Sequence, residues 1–240
     1  MEKYILKVNN LCKKYGNTAV LQQVSLSVPA GSIYGLIGEN GAGKTTLFRI
    51  LAGLSRKTSG QVVLANASTE AEIIKERRNI GFMIESPALY LDLSVLENLY
   101  ISQLQYCGKK DIDYANQTLE SVGLYSQKQK KARHLSSGMK QRLALATALL
   151  HNPKILILDE PANGLDPMGM IAFRQLLLKL NTYENITIVI SSHILTELEH
   201  IATHYGFLHN GKLLQEISSS DISKSADSLE KYFEKVMGSQ

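Results

Sequence analysis

One glycine-rich run constrains the fold of this chain more than any other feature. Residues 38–45 read Gly-Glu-Asn-Gly-Ala-Gly-Lys-Thr and match G-x-x-x-x-G-K-[ST] at every fixed position. An apolar run at 32–37 precedes the glycines and a helical pattern at 44–52 follows them, so they connect a strand to a helix. Such a turn lets successive backbone N–H groups close on an anion, and the helix N-terminus adds partial positive charge. The sequence therefore predicts a phosphate-binding loop within an α/β fold.

The loop also carries two side chains with predicted chemistry. Lys44 is predicted to reach the β- and γ-phosphates, and the Thr45 hydroxyl is predicted to ligate Mg²⁺. The other predicted nucleotide contacts are Gly38, Glu39, Asn40, Gly41, Ala42, Gly43 and Thr46. The alternative is a glycine-rich strand-to-helix turn that binds no ligand.

Two adjacent acids follow a second apolar run. Residues 155–158 are all branched and apolar, as in parallel strands that are covered on both faces, and Asp159 and Glu160 come next. Ligands of open parallel sheets bind at this carboxyl edge. Because side chains alternate along a strand, the two carboxylates should point in different directions. We expect Asp159 to hold Mg²⁺ and Glu160 to act as general base on the attacking water, the alternative being a helix-capping acid beside a surface acid.

Three further motifs follow in a fixed order along the chain. They are Leu-Ser-Ser-Gly-Met-Lys-Gln-Arg at 135–142, Gly-Leu-Asp at 164–166, and His193. Together with the phosphate loop and the acids, they resemble the nucleotide-binding subunit of ATP-binding-cassette (ABC) transporters over roughly residues 4–217. This resemblance implies ATP and Mg²⁺ as cofactors, ATP hydrolysis as the activity, and a head-to-tail dimer of two such subunits around two ATP molecules.

The run at 135–141 is similar to the family signature L-S-G-G-Q. Ser137 and Met139 depart from it, whereas Ser136 and Gly138 keep a hydroxyl and an open helix start. The resemblance implies that this segment contacts the γ-phosphate held by the other subunit, which suits the anion preference of a helix N-terminus. By itself the run would indicate only a Ser-capped helix, and the two departures bear on the strength of dimerisation.

Three single residues match further family positions. Tyr15 is implied to stack on adenine, with a half-exposed strand-end tyrosine as the alternative. His193 is implied to contact the γ-phosphate and help hold the attacking water, with a core or capping histidine as the alternative. Asp166 is implied to lie in the loop that crosses the dimer interface, and an N-cap position before Pro167 is compatible with that role.

One departure from the family pattern is informative. In the run Gly-Phe-Met-Ile-Glu-Ser-Pro at 81–87, Glu85 stands where the family normally has Gln, whose side-chain oxygen reaches Mg²⁺ and the water. Glutamate keeps an oxygen, adds a charge and loses the amide donor. With the changed signature and the run at 163–167, this position resembles the subgroup that serves lantibiotic self-protection and bacitracin resistance. The alternative is a drifted residue without subgroup meaning.

The predicted elements give the expected domain organisation. Alternating strands at 4–8 and 24–28 predict an antiparallel layer, and Ser94 with Glu97 forms a capping box at a helix start. We expect a single ATPase domain at 1–217, with a RecA-like P-loop core at 1–85 and 151–217 and an inserted α-helical subdomain at 86–150. Residues 218–240 should form a Ser-rich tail with one short amphipathic helix.

Charge and hydropathy limit the classes of partner that the chain can have. The net charge is +4, from 26 basic and 22 acidic residues, which is too mild to indicate a nucleic-acid partner. No apolar run approaches the ~20 residues that span a bilayer. The family resemblance implies transmembrane permease subunits, which we expect to be separate chains. It also implies a cytoplasmic chain that is peripheral on the inner face of the plasma membrane through those permeases. Cys12 and Cys107 should be small core residues rather than a disulfide.

The expected function is ATP hydrolysis that energises export of a peptide antibiotic. One alternative is a transporter ATPase of the same fold for a lipid, drug or ion. Another is an ABC ATPase that acts on nucleic acid or ribosomes. The second alternative is disfavoured, because no sustained heptads separate Lys44 from Ser136 and the chain holds one cassette.

Overall fold

Two β-sheets organise the residues that the computed structural model describes, which are 3–85, 89–226 and 228–238. The strands are β1 (Tyr4–Tyr15), β2 (Thr18–Pro29), β3 (Ile33–Ile37), β4 (Ser59–Leu64), β5 (Ile80–Met83), β6 (Ile155–Asp159), β7 (Thr187–Ser192), β8 (His204–His209) and β9 (Lys212–Ser218). The first sheet is antiparallel with the order β2-β1-β4, and the second has the order β5-β6-β7-β3-β8-β9. The predicted antiparallel layer is confirmed.

The larger sheet is parallel from β5 to β8, and β9 joins it as an antiparallel edge strand. Every residue of β3, β6 and β7 is buried, as the continuous apolar runs predicted. Along β6, Ile155 and Ile157 pack toward the antiparallel sheet, whereas Leu156 and Leu158 pack toward the helices on the other face. Burial on both faces is what makes these strands apolar without alternation.

The helices are α1 (Lys44–Ala52), α2 (Glu70–Glu76), α3 (Val95–Cys107), α4 (Ile112–Ser121), α5 (Ser137–Leu149), α6 (Pro167–Glu184), α7 (Leu195–Glu199), α8 (Ser219–Ser225) and α9 (Leu229–Gly238). The capping box at α3 is confirmed, since Ser94 Oγ accepts from Glu97 N at 3.2 Å and Glu97 Oε2 accepts from Ser94 N at 2.7 Å. Helices α3, α4 and α5 all lie between β5 and β6 in the chain. A helical subdomain with bounds 86–150 stays a prediction, and its first residue lies outside the described part of the chain.

The short amphipathic helix predicted for the C-terminal tail is present as α9, and the described residues of the tail contain a second helix, α8, that was not predicted. The serine-rich stretch is helical because Ser218 caps α8: its hydroxyl accepts from Asp221 N at 3.2 Å. Helix α9 carries the predicted apolar stripe and buries Leu229 and Tyr232.

Cys12 carries a free thiol and is partly buried. The side chain of Cys107 lies outside what the structure describes, as do residues 1, 2, 86–88, 227, 239 and 240, including Ser86 and Pro87 of the run around Glu85. Within the described ranges, no helix is long and apolar enough to cross a membrane.

Candidate active site

Three neighbouring parallel strands deliver the predicted site residues to one edge of the sheet. Strand β3 leads into the glycine-rich loop, β6 ends at Asp159 with Glu160 directly after it, and β7 ends at Ser192, directly before His193. The register places Asp159 opposite Ser191 and Ile37 opposite Ser192, so the three carboxyl ends are level. This edge is where an open parallel sheet binds its ligands.

The glycines of the loop are required by its backbone and by close neighbours. Gly43 has φ 111°, in the left-handed region, and a Cβ there would lie 2.8 Å from Leu21 Cδ2. A Cβ at Gly38 would collide with the Leu208 carbonyl. The loop therefore fits tightly between the antiparallel sheet and β8, with its N–H groups near the start of α1.

Lys44 is folded back into the loop. Its ammonium donates to the carbonyls of Gly38 at 2.6 Å and Glu39 at 3.1 Å, and lies 3.1 Å from Glu160 Oε1. The side chain is only 5% exposed. A buried positive charge thus stands inside the anion cradle, next to the acid predicted to be the base.

Asp159 and Thr45 form the predicted metal end of the site. Thr45 Oγ1 donates to Asp159 Oδ2 at 2.7 Å, which leaves the lone pairs of the hydroxyl available to a cation. The hydroxyl and carboxylate oxygens are the hard ligands that Mg²⁺ prefers. Among the described residues, no group of three or more His, Cys, Asp or Glu side chains is placed to hold a metal ion. One hydroxyl and one carboxylate, those of Thr45 and Asp159, fit Mg²⁺, which usually takes one or two carboxylates together with substrate phosphates.

The Glu160 carboxylate has different neighbours from the Asp159 carboxylate and accepts from three donors. Its Oε2 lies 2.6 Å from His193 Nδ1 and 2.7 Å from Asn163 Nδ2, and Oε1 faces Lys44. Burial alone would raise the pKa of Glu160, but hydrogen bonds from Asn163, Lys44 and His193 together hold that pKa below its usual range. The carboxylate is therefore ionised at neutral pH and able to accept a proton.

His193 is half-exposed and sits at the mouth of the site. Its contact with Glu160 unites two residues that the sequence separates by 33 positions. Tyr15 lies farther out: its ring is 48% exposed, its hydroxyl is 3.3 Å from Ser55 Oγ, and Lys13 Nζ lies 4.3 Å from the ring centroid. An accessible ring is compatible with stacking, and the roles of both residues stay predictions.

Glu85 is not gathered with the predicted metal ligands. The contacts of the described residues pair its carboxylate with the Arg49 guanidinium of α1, and none joins it to Thr45 or Asp159. Its backbone is left-handed, with φ 66°. The predicted role of Glu85 at Mg²⁺ stays a prediction.

The signature and the interface loop lie beside each other. Ser136 caps α5 by accepting from Met139 N at 3.3 Å, with Ser137 as the first helical residue. Asp166 caps α6 by accepting from Gly169 N at 3.2 Å, so its predicted local role is confirmed. A Cβ at Gly138 would lie 3.7 Å from Leu165 Cδ2. The predicted contact of this segment with the nucleotide of another subunit stays a prediction.

Three residues at the site escaped sequence reasoning: Ser191, Asn163 and Arg49. Asn163 follows Glu160 by one helical turn, a spacing that could have indicated it. Ser191 meets Asp159 only through the β6–β7 register, and Arg49 meets Glu85 only through tertiary packing. No local sequence pattern could have predicted the contact of Ser191 with Asp159 or that of Arg49 with Glu85.

Two family models match parts of the chain. The family model described as "ABC transporter" matches residues 21–163. A second model, described as "AAA domain, putative AbiEii toxin, Type IV TA system", matches residues 130–199.

Curated relatives cover most of the chain. The "Bacitracin transport ATP-binding protein BcrA" of Enterococcus faecalis is 42% identical over 92% of this chain and 72% of that protein. The "Lantibiotic transport ATP-binding protein SrtF" of Streptococcus pyogenes is 41% identical over 88% of this chain and 90% of that protein.

Solved structures share the fold. The cbiO1 protein of Clostridium perfringens, part of an ABC transporter complex, has a TM-score of 0.83 at 29% identity and covers 93% of this chain and 92% of that one. A dimeric ATP-binding cassette in a post-hydrolysis state, bound to ADP and Pi, has a TM-score of 0.79 at 29% identity, with 89% and 98% covered. The predicted RecA-like P-loop core with an antiparallel layer is confirmed.

Proposed function

Because the chain belongs to the ABC transporter family as an ATP-binding, ATP-hydrolysing subunit, we propose that it energises export of a peptide antibiotic through separate membrane subunits. The observation that carries the cargo is the similarity to bacitracin and lantibiotic transport proteins, which extends over 92% and 88% of the chain. Such a cargo would make the function self-protection against, or resistance to, a cell-wall-active peptide.

The phosphate loop and Lys44 hold the nucleotide in this proposal. Backbone N–H groups of residues 38–45 surround the phosphates, and Lys44 pairs with their charge. Lys44 now contacts Glu160 at 3.1 Å, so its attraction to phosphate would leave that carboxylate free to act. Nucleotide binding and activation of the base are thereby linked through one ammonium.

The acids divide the chemistry between them. Thr45 and Asp159 would hold Mg²⁺, which when bound neutralises charge on the phosphate oxygens. Glu160 would accept the proton of the attacking water at its carboxylate, while His193 and Asn163 fix the orientation of that carboxylate. Tyr15 would stack on adenine through its exposed ring.

Assembly completes the site. We propose a head-to-tail dimer in which Ser136, Ser137, Gly138 and Met139 of one subunit contact the nucleotide of the other, with Asp166 at the interface. Residues 86–150, as a helical subdomain, would meet the permease subunits near Glu85. The chain would then reside on the cytoplasmic face of the plasma membrane through those permeases.

Deletion and complementation in the strain that carries the gene would test the cargo. Loss of the gene should lower tolerance to lantibiotics or bacitracin, and the wild-type gene should restore it. A Glu160→Gln gene should fail to restore tolerance while producing a folded protein. Unchanged tolerance to every such peptide, with altered tolerance to a drug, lipid or ion, would assign the chain to another cargo.

A further inference from the structure

A fully buried hydroxyl lies between the two acids of the site. Ser191, near the end of β7, is 0% exposed. Its Oγ donates to Asp159 Oδ1 at 2.6 Å and accepts from the Glu160 backbone N–H at 2.9 Å. One side chain thus contacts the predicted metal carboxylate and the main chain of the predicted base.

The contact with Glu160 holds an uncommon backbone conformation. Glu160 has φ 46°, in the left-handed region that is costly for residues with a Cβ. Its N–H comes directly after the β6–β7 ladder, which ends at the pair Asp159 and Ser191. The Ser191 hydroxyl accepts a hydrogen bond from that N–H where the chain turns out of the sheet. The Glu160 carboxylate then lies against Lys44 and His193.

The contact with Asp159 fixes the plane of its carboxylate. One carboxylate oxygen accepts a hydrogen bond from the Thr45 hydroxyl at 2.7 Å, and the other accepts one from the Ser191 hydroxyl. The carboxylate therefore cannot rotate without breaking a hydrogen bond. Because the Ser191 oxygen accepts from the Glu160 N–H, its proton is directed to the ionised Asp159. A single hydroxyl therefore sets the orientation of both acids relative to each other.

We infer that Ser191 is a positioning residue for ATP hydrolysis, acting through Asp159 and Glu160 without touching the nucleotide itself. The inference rests on the proposed roles of those two acids. A small displacement of a catalytic group is enough to slow an enzyme markedly. Loss of one hydrogen bond to a charged group corresponds to about a tenfold to hundredfold factor.

Ser191→Ala tests the inference, with Ser32→Ala as the matched control. Ser32 is also buried, at 5% exposure, and its hydroxyl donates to Pro29 O at 2.7 Å at the opposite end of the sheet. Both variants remove one hydrogen-bonded hydroxyl from the core. We expect kcat to fall about tenfold to hundredfold in Ser191→Ala and to stay near wild type in Ser32→Ala.

Binding supplies a readout that a general loss of stability would not move. The affinity for a non-hydrolysable ATP analogue in EDTA should be equal in wild type and Ser191→Ala, because the phosphate loop is untouched. The gain in affinity on adding Mg²⁺ should be smaller in Ser191→Ala, because Asp159 is no longer oriented. If wild type and Ser191→Ala gain the same affinity on adding Mg²⁺ and have the same kcat, the inference is overturned.

Two further variants separate the possible failures. In a Glu160→Gln background, Ser191→Ala should lower turnover by a smaller factor than in wild type, because the part of its effect that acts through Glu160 is already absent. If Ser191→Ala unfolds at the assay temperature, Ser191→Cys replaces it in the test. The thiol of Ser191→Cys is only a weak hydrogen-bond donor, so its kcat should lie well below that of wild type. A wild-type kcat in Ser191→Cys would contradict the inference.

The Glu160→Gln variant separates failure of the inference from failure of the proposed function. If Glu160→Gln hydrolyses ATP normally, the proposed base is wrong. If Glu160→Gln is inactive and Ser191→Ala hydrolyses ATP normally, only the role of Ser191 is rejected.

Discussion

At the residue scale, the charged side chains of the site are paired with one another. Lys44 has two carbonyls and a carboxylate as partners, and Glu160 has an ammonium, an amide and an imidazole. Binding of phosphate must therefore exchange partners rather than add charge to an empty cavity. Substitution of single residues should reveal each exchange separately.

Lys44→Ala should weaken nucleotide binding at least about tenfold, because a charge-assisted contact contributes ~1.5–3 kcal/mol. Titration of ATP into both proteins measures the change. Since the Lys44 contact is one cause of the lowered pKa of Glu160, that pKa should also rise in the variant. Lys57→Ala, which removes an ammonium outside the loop, should bind ATP like wild type, and unchanged binding by Lys44→Ala would show that the loop is not the site.

Glu85→Gln should still hydrolyse ATP, because glutamine keeps a side-chain oxygen for Mg²⁺ and is the residue usual in the family. The variant loses the ion pair with Arg49, which joins α1 to the segment that follows β5. Antibiotic tolerance should therefore fall more than the ATPase rate when both are measured in parallel. Arg49→Gln should reproduce the effect, and wild-type values of both quantities in Glu85→Gln would mean that the acid is incidental.

At the element scale, most strands and helices could be predicted because local patterns and tertiary packing agree. Helix α1 has the predicted bounds, and the hairpin of β8 and β9 turns at Asn210 and Gly211, a pair of residues typical of tight hairpin turns. Strand β1 is longer than predicted because Asn10, with φ 48°, forms a bulge inside the strand rather than a turn at its end.

Two helices were missed because each has a weak apolar pattern and an N-terminal cap that was not recognised. Helix α2 buries only Ile73, so its apolar periodicity is weak, although Thr69 and Glu72 form a capping box that could have revealed it. Helix α8 is serine-rich, and its composition indicates a loop unless the cap at Ser218 is recognised. In the site, motifs identified the residues that meet the nucleotide, but contacts made across the sheet, such as that of Ser191, depend on register.

Helix α9 is attached to α7 by a side-chain cap, and its loss should be local. The Leu229 N–H, one of the unpaired donors of the first turn of α9, donates to Glu199 Oε1 at 2.9 Å. Glu199→Ala should cost ~1 kcal/mol, typical of a lost cap, and speed amide exchange in residues 229–238 about fivefold. Hydrogen exchange read by mass spectrometry measures this, with Glu230→Gln as the control on the same turn. Equal protection in Glu199→Ala would show that aromatic packing of α9 on Phe207 suffices.

At the scale of the whole molecule, hydrolysis should control assembly. If Glu160 is the base, Glu160→Gln removes it with little change of shape, and turnover should fall by about 10²–10⁴. ATP that is bound but not hydrolysed should hold two subunits together through Ser136 and Gly138. With ATP and Mg²⁺, size-exclusion chromatography should place this variant at twice its 26.6 kDa mass, and wild type should shift less.

ADP in place of ATP provides the control for that experiment, since it lacks the γ-phosphate that the signature should contact. Because Ser137 and Met139 depart from the family signature, we expect them to affect the strength of dimerisation, so the rate of hydrolysis is the decisive measurement. Near-normal turnover by Glu160→Gln would remove this carboxylate from the role of base and leave His193 as the group that organises the water.

The order of strands in the larger sheet has a consequence for synthesis on the ribosome. Strands β1, β2 and β4 all lie before residue 65 and can pair early, but β3 lies between β7 and β8, which begin at Thr187 and His204. The nascent phosphate loop therefore leaves the ribosome long before its strand has a hydrogen-bonding neighbour on either side. During that interval β3 is an apolar segment with two open edges, the kind of segment that chaperones protect. Affinity for nucleotide should arise only in the last part of translation, when the strands that flank β3 have emerged.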